Sequence, residues 1–406
     1  MMTITRRHFL KTATVALSAF ILPRPGARRA TAATHTPVLV ALYLRGGADG
    51  LHLVVPAGDP AYYASRPTIQ VPAGSELPLD GFFGLNPTLA PLLPLYTAGA
   101  LAFIHAAGSP DPSRSHFDCQ DFMERAAPGN RSVVDGWLAR YLAGAGGGKA
   151  IAGVTLRHTR AKSLQGSAPS LAFPSLGGFA LSGDAIDERR AALEQRYAEV
   201  GVGAAGAMLG QAAALAFETV DVLAGIDRTT DIVYPPSEIG TALEDAAALV
   251  KAEVGVRAIA VDVGGWDHHT DTILRTEEVG SDLAASLAAF HADLGAHAVT
   301  TLTLAMTEFG RRVPENGSGG TDHGHGGVMM ALGGGIAGGR VLLAGDSWPG
   351  LASDGLYRGQ DLPVTTDFRS VFAEALHRHL LVNVAELAAI LPGFTADATD
   401  FPGLYS

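Results

Sequence analysis

Residues 37–44 (PVLVALYL) form an almost unbroken apolar run without polar alternation, the pattern of a strand covered on both faces in a parallel sheet. Similar runs follow at 100–107, 256–263 and 299–306, and each stops at polar or glycine-rich residues. Between them the apolar spacing becomes helical over about 115–125, 136–142, 185–224, 237–253, 271–296 and 366–380. Strands alternating with helices predict an α/β sandwich with a mostly parallel central sheet. No linker-like stretch interrupts 36–406, so one domain is expected, with the Ala-rich helices around 184–254 as a helical insert. In such sheets ligands bind outside the carboxyl ends of the strands, so chemistry is to be sought directly after each apolar run.

Composition narrows the classes. With 47% hydrophobic and 17% charged residues, the 406-residue chain has apolar surface for a large core, which excludes a disordered chain and a disulfide-stapled mini-protein. A net charge of −11 argues against a nucleic-acid partner, because phosphate binding needs clustered Lys and Arg. The single cysteine, Cys119, has no pairing partner and no zinc-site spacing, and reads as a small buried hydrophobe.

The amino end looks like an address. Arg6-Arg7-His8-Phe9-Leu10-Lys11 precedes an apolar stretch over 15–22 and a small-residue run, Ala30-Thr31-Ala32-Ala33. This order predicts a twin-arginine signal peptide over 1–32 that is removed on export, with the remaining chain in the periplasm or otherwise outside the cytoplasmic membrane. The apolar stretch is shorter than the roughly 20 residues that span a bilayer, and no transmembrane segment is expected downstream. Twin-arginine export carries folded proteins, often with a metal already loaded.

Four stretches at the strand ends carry candidate chemistry. After the first comes Arg45-Gly46-Gly47-Ala48-Asp49-Gly50, where Asp49 is either a hard oxygen donor for a divalent cation or the acceptor of a local turn bond. After 256–263 comes Gly265-Trp266-Asp267-His268-His269, which can present one carboxylate and at least one imidazole to a single ion. The run 299–306 delivers Thr307-Glu308-Phe309-Gly310-Arg311-Arg312 and, past a glycine-rich stretch, Asp322, His323 and His325. Most Arg311 and Arg312 analogues would be solvated. After 100–107 comes Ser113-Arg114-Ser115-His116-Phe117-Asp118, in which Ser115 is a natural helix N-cap; alternatively, the hydroxyl or His116 faces the metal site.

The order R-G-G-x-D-G, S-R-S-H-F-D, G-W-D-x-H, T-E-F-G-R, D-H and a late T-D-F-R, behind a twin-arginine leader, resembles the bacterial family catalogued as domain of unknown function 1501 over most of 36–380. That family is placed with the alkaline phosphatase and sulfatase superfamily. The resemblance implies a three-layer α/β/α sandwich, alkaline-phosphatase-like, with its metal site at the carboxyl edge of the sheet. By position it implies Asp49, Asp267, His269, Glu308, Asp322 and His323 as metal ligands, His269 rather than His268, and Ser115 where the superfamily keeps its nucleophile. Phe309 departs from that pattern, which usually has aspartate then histidine at 308 and 309. Cys119 lacks a C-x-P-x-R context, which argues against a formylglycine sulfatase.

Two functions are consistent with these residues. One is an exported hydrolase of phosphate or sulfate esters, acting on a small anionic or cell-envelope substrate. It would use Zn²⁺, or alternatively Mn²⁺, with Ser115 and His116 as catalytic residues and Arg45 or Arg114 on the anionic group. The other is a non-catalytic exported binding or structural protein that keeps the sandwich.

Overall fold

The computed structural model describes residues 35–145, 150–178, 185–199 and 204–405. The leader expected over 1–32 lies outside the described residues.

All seven residues of β1 (Val38–Leu44) are buried, and the strand explains why its sequence lacks alternation. Val38, Val40, Leu42 and Leu44 point into one apolar cluster, with Leu243 and Leu249 of the helix Glu238–Lys251 and Leu283, Leu287 and Phe290 of the helix Thr272–Leu294. Leu39, Ala41 and Tyr43 point into a second cluster, with Trp137 of the helix Trp137–Gly144 and Phe368 and Phe372 of the helix Phe368–Glu374. Trp137 and Phe372 stack at 4.2 Å between ring centroids. A strand with helices on both faces has no solvent side, so every position is apolar. Truncating a residue such as Leu42 to Ala would cost about 2–5 kcal/mol.

The sheet contains, in chain order, β1, β2 (Leu101–Gly108), β3 (Gly153–Leu156), β4 (Leu171–Phe173), β5 (Ala258–Val263), β6 (Thr301–Met306), β7 (Gly327–Gly333), β8 (Arg340–Leu342) and β9 (Thr366–Asp367). Its spatial order is β8-β2-β7-β6-β1-β5-β3-β4, with β9 paired to β2. β1 runs parallel to both β5 and β6, with Leu42 opposite Val261 and Ala305. β7 alone runs antiparallel to its neighbours β2 and β6. The α/β sandwich with a mostly parallel sheet therefore forms as the pattern predicted, in the three layers that the resemblance implied.

The antiparallel β7 was not legible in the sequence, and it matters for the site. β6 leaves the sheet at the carboxyl edge and β7 enters it at the same edge, so the connection 307–326 begins and ends there. Glu308, Arg311, Asp322 and His323 are thus confined to one edge, above the ends of β1 and β5. The expected helix over 185–224 is two helices, Ile186–Glu199 and Ala204–Ala224. Among the described residues no helix is long and apolar enough to cross a membrane.

Candidate metal centre

Beyond β5 the chain turns through Gly264 and Gly265 and exposes Asp267, while Trp266 is fully buried beneath it. His268 points inward: it is 1% exposed, with Nε2 bonded to the Gly265 carbonyl at 2.8 Å, which makes it structural. His269 points outward, as the G-W-D-x-H spacing implied. Its Nε2 lies 3.0 Å from Asp267 Oδ1 and 3.0 Å from His323 Nε2.

The connection 307–326 is locked against this turn by backbone. Thr321 N donates to the His268 carbonyl at 3.1 Å, and Asn316 Nδ2 donates to the His269 carbonyl at 2.9 Å. Gly310 must be glycine here, because a Cβ would stand 1.8 Å from the Gly326 carbonyl oxygen. That accounts for the glycine in T-E-F-G-R without invoking catalysis.

His116 is the first residue of the helix His116–Glu124, and Ser115 is its N-cap, accepting from Asp118 N at 3.4 Å. His116 Nδ1 meets Glu308 Oε1 at 2.8 Å. Glu308 is completely buried and also accepts from Gly46 N at 2.9 Å and Gln120 Nε2 at 2.8 Å. Burial pushes its carboxyl up, but the bonds from His116, Gln120 and Gly46 outweigh it and hold the group below its ordinary value. An ionised carboxylate only accepts, so His116 carries its proton on Nδ1. Nε2 then faces Asp267 Oδ2 across 3.5 Å, buried and without a hydrogen bond. The bond to Glu308 raises the His116 pKa, against the opposing effect of burial.

His323 is arranged in the same way. Its Nδ1 donates to the Arg114 carbonyl at 2.9 Å, which leaves the Nε2 lone pair of the neutral ring 3.4 Å from Asp267 Oδ1. Burial lowers its pKa and keeps the ring neutral. Phe309 packs under both imidazoles, 4.9 Å from His116 and 4.7 Å from His323 between centroids. The residue that departs from the phosphatase pattern is therefore an apolar floor.

His116, Asp267 and His323 each offer one ligand atom, and those atoms lie within 4.8 Å of one another; His269 adjoins them. The side chains of Asp267 and His269 are 47% and 42% exposed, so the group opens to solvent. Two imidazoles each held at Nδ1, one of them with an orphaned buried Nε2, and a shared carboxylate fit a borderline transition ion such as Zn²⁺.

The other expected residues are placed differently. Asp49 caps the short helix Gly50–Leu53 and is held by Arg66 at 2.7 Å, both side chains buried, outside the imidazole group. Burial raises its carboxyl, but Arg66 outweighs it and the net shift is downward. Glu308 stands behind His116 rather than beside Asp267. Asp322 stands behind His269, with Oδ1 3.6 Å from Nδ1, and is shared with Arg312 at 3.4 Å. The Arg45 guanidinium is taken up by Glu124 at 3.0 Å and Asp262 at 2.9 Å, and Arg114 by the buried Asp361. His325 stacks on Tyr357 at 4.4 Å, away from the group, and Cys119 is buried with Sγ 3.1 Å from the Ser113 carbonyl.

Arg311, expected in solvent, is instead 1% exposed. It reaches the carbonyls of Gly46, Gly47 (2.7 Å) and Thr321 (2.9 Å) and the Asp267 carboxylate at 2.5 Å. Burial raises the Asp267 carboxyl, but Arg311, with His269 and His116, outweighs it and holds the group below its ordinary value. The only sequence signal for this role was its place three residues after Glu308.

Fold and site together define a class: a mostly parallel α/β sandwich with imidazoles and a carboxylate converging at the carboxyl edge of its sheet. The chain belongs to the family described as Protein of unknown function (DUF1501), which matches residues 105–382. No curated protein matches it. Among solved structures it is similar to the C-terminal periplasmic domain of EcEptC from Escherichia coli in complex with Zn, at 10% identity, 75% of each chain and a TM-score of 0.36. A likeness that loose assigns no residue of the site.

Proposed function

We propose that the protein is an exported, metal-dependent hydrolase of phosphate or sulfate esters, with His116, Asp267, His269 and His323 as the ligands of one divalent ion, Zn²⁺ or alternatively Mn²⁺. The observation that carries this reading is the pair of oriented rings: Glu308 and the Arg114 carbonyl each occupy an Nδ1 and turn an Nε2 toward Asp267. A bound ion there would polarise an ester oxygen and make a water more acidic. Glu308 orients His116 from behind, as carboxylates do behind ligating histidines. Arg311 fixes the Asp267 carboxylate against the turn after β5, and Phe309 keeps water from the buried side of the rings. The solvent-facing side, at Asp267 and His269, is where the ester enters. The ester class itself rests on the motif resemblance, and neither Arg45 nor Arg114 is free to hold the anion while its ion pairs stand.

A second reading has one observation in its favour. Arg311 neutralises Asp267 with no ion needed, as in a binding or structural protein. Metal analysis with an ester panel separates the two. Protein purified without chelator should carry a transition ion that Asp267→Ala with His323→Ala removes, one equivalent per chain relative to the unmutated protein, and turn over aryl phosphate or sulfate esters until chelated. Bound metal without turnover supports the second reading; no metal after incubation with Zn²⁺ or Mn²⁺ sinks the first. Export rests on the Arg6-Arg7 leader, and replacing both by Lys should leave precursor in the cytoplasm.

A further inference from the structure

At the opposite edge of the sheet lies a second group of metal-ligating side chains. His35 lies three residues before the start of β1. Glu253 follows the helix Glu238–Lys251 on the way into β5. His297 sits in the 3₁₀ turn Gly295–Thr300 that leads into β6. β5, β1 and β6 are adjacent and parallel, so the segments feeding them meet at one place, about 20 Å from the Asp267 group at roughly 3.3 Å per strand residue.

We propose that His35, Glu253 and His297 form a second divalent transition-metal site, structural and independent of the carboxyl-edge centre. Each contributes one ligand atom, and the three atoms lie within 4.8 Å of one another. Tetrahedral ligands at 2.0–2.1 Å from an ion are about 3.3 Å apart, so small side-chain rotations close the group. Between the three residues is a cavity of about 20 Å³, walled by Val38, Leu249 and Val256, with room for one water-sized occupant.

The two imidazoles lie 4.0 Å apart between centroids, tilted by 38°, and both line the cavity. His35 Nδ1 also meets Glu253 Oε1, so an ion pair is the simpler alternative, but it leaves His297 unused. Glu253 takes the left-handed conformation that ends the helix, at φ 50°, its N–H donating to the Val250 carbonyl at 3.1 Å. Two imidazoles and one carboxylate select Zn²⁺, Cu²⁺ or Ni²⁺ over Mg²⁺ or Ca²⁺. An ion here would staple the segment before β1 to the connections into β5 and β6.

The full chain carrying Asp267→Ala and His323→Ala isolates this site from the first. Titrated with Zn²⁺ in isothermal calorimetry, it should bind about one ion per chain and gain several degrees in Tm. Adding His35→Gln and His297→Gln should weaken binding at least 100-fold and abolish the gain. No zinc binding by the parent, or equal binding with and without the glutamines, overturns the proposal. Should the parent not fold, stoichiometry in the otherwise unmutated chain decides: His35→Gln with His297→Gln should remove one equivalent of zinc, and an unchanged count overturns the site. Loss of zinc through residues 35 and 297 stands whether or not Asp267 proves to be a ligand.

Discussion

Glu308 accepts a 2.8 Å hydrogen bond from His116 Nδ1 and thereby turns the opposite nitrogen, Nε2, toward Asp267. Glu308 follows β6 and His116 opens the helix after β2, and the bond is fully desolvated on the Glu308 side, so the ring is fixed before any ligand arrives. Partners behind a ligating histidine typically contribute 10–100-fold in metal affinity. Glu308→Gln should therefore weaken Zn²⁺ binding by that factor in competition with a chromophoric chelator. Unchanged affinity would remove Glu308 from the centre.

Ser115 caps the helix His116–Glu124. Ser115→Ala should cost about 0.5–2 kcal/mol in urea unfolding, and Ser115→Asp, which also caps, should restore it. Because the hydroxyl is directed at Asp118 N, Ser115→Asp is expected to keep both metal content and turnover. A loss of several orders of magnitude in turnover from a stable, metal-loaded Ser115→Asp would make the serine the attacking group.

Arg311 ties three carbonyls from two connections to one carboxylate. Arg311→Met leaves those buried acceptors unpaired, at about 1–3 kcal/mol each, and should lower unfolding free energy by at least about 3 kcal/mol. Arg311→Lys should recover only part of this, because an ammonium cannot reproduce the planar fork. A near-neutral Arg311→Met would mean that the connections are held without it.

His105 is fully buried, with Nε2 donating to the Val54 carbonyl at 2.9 Å and Nδ1 accepting from Ala106 N at 2.9 Å. Burial pushes its pKa down from 6.5 to about 4. In that interval the unfolded chain takes up a proton that the folded chain refuses, so stability falls as pH drops from about 6.5 to about 4. The contribution is at most about 3 kcal/mol, and His52 and His325, both also lowered to about 4, act with the same sign. Urea unfolding at pH 7 and pH 5 should show a smaller loss for His105→Gln than for the unmutated chain. Equal losses would count against a neutral buried His105.

The long strands and helices were legible because their signals are local: runs of six to eight mostly apolar residues for β1, β2, β5 and β6, and 3.6-residue spacing for the helices. The acids and imidazoles were findable for the same reason, since Asp267, His269 and Glu308 follow those strands within a few residues and His323 lies in the connection after β6. The glycines Gly264, Gly265 and Gly310 marked the turns that make the approach possible.

What each charge faces was decided only in three dimensions. Asp49 and Arg66 are 17 residues apart in sequence, and nothing local says that the guanidinium will occupy the carboxylate. Arg45 meets Glu124 and Asp262 from two other elements, and Arg311 is buried only because β7 runs antiparallel and folds 307–326 back over the ends of β1 and β5. Hydrophobic periodicity reports whether a position is inside, which depends on the residue and its near neighbours. The partner of a buried charge depends on desolvation and Coulomb energy between segments that only the completed sheet brings together, and so did the separation of the ligating imidazoles from the groups that hold them.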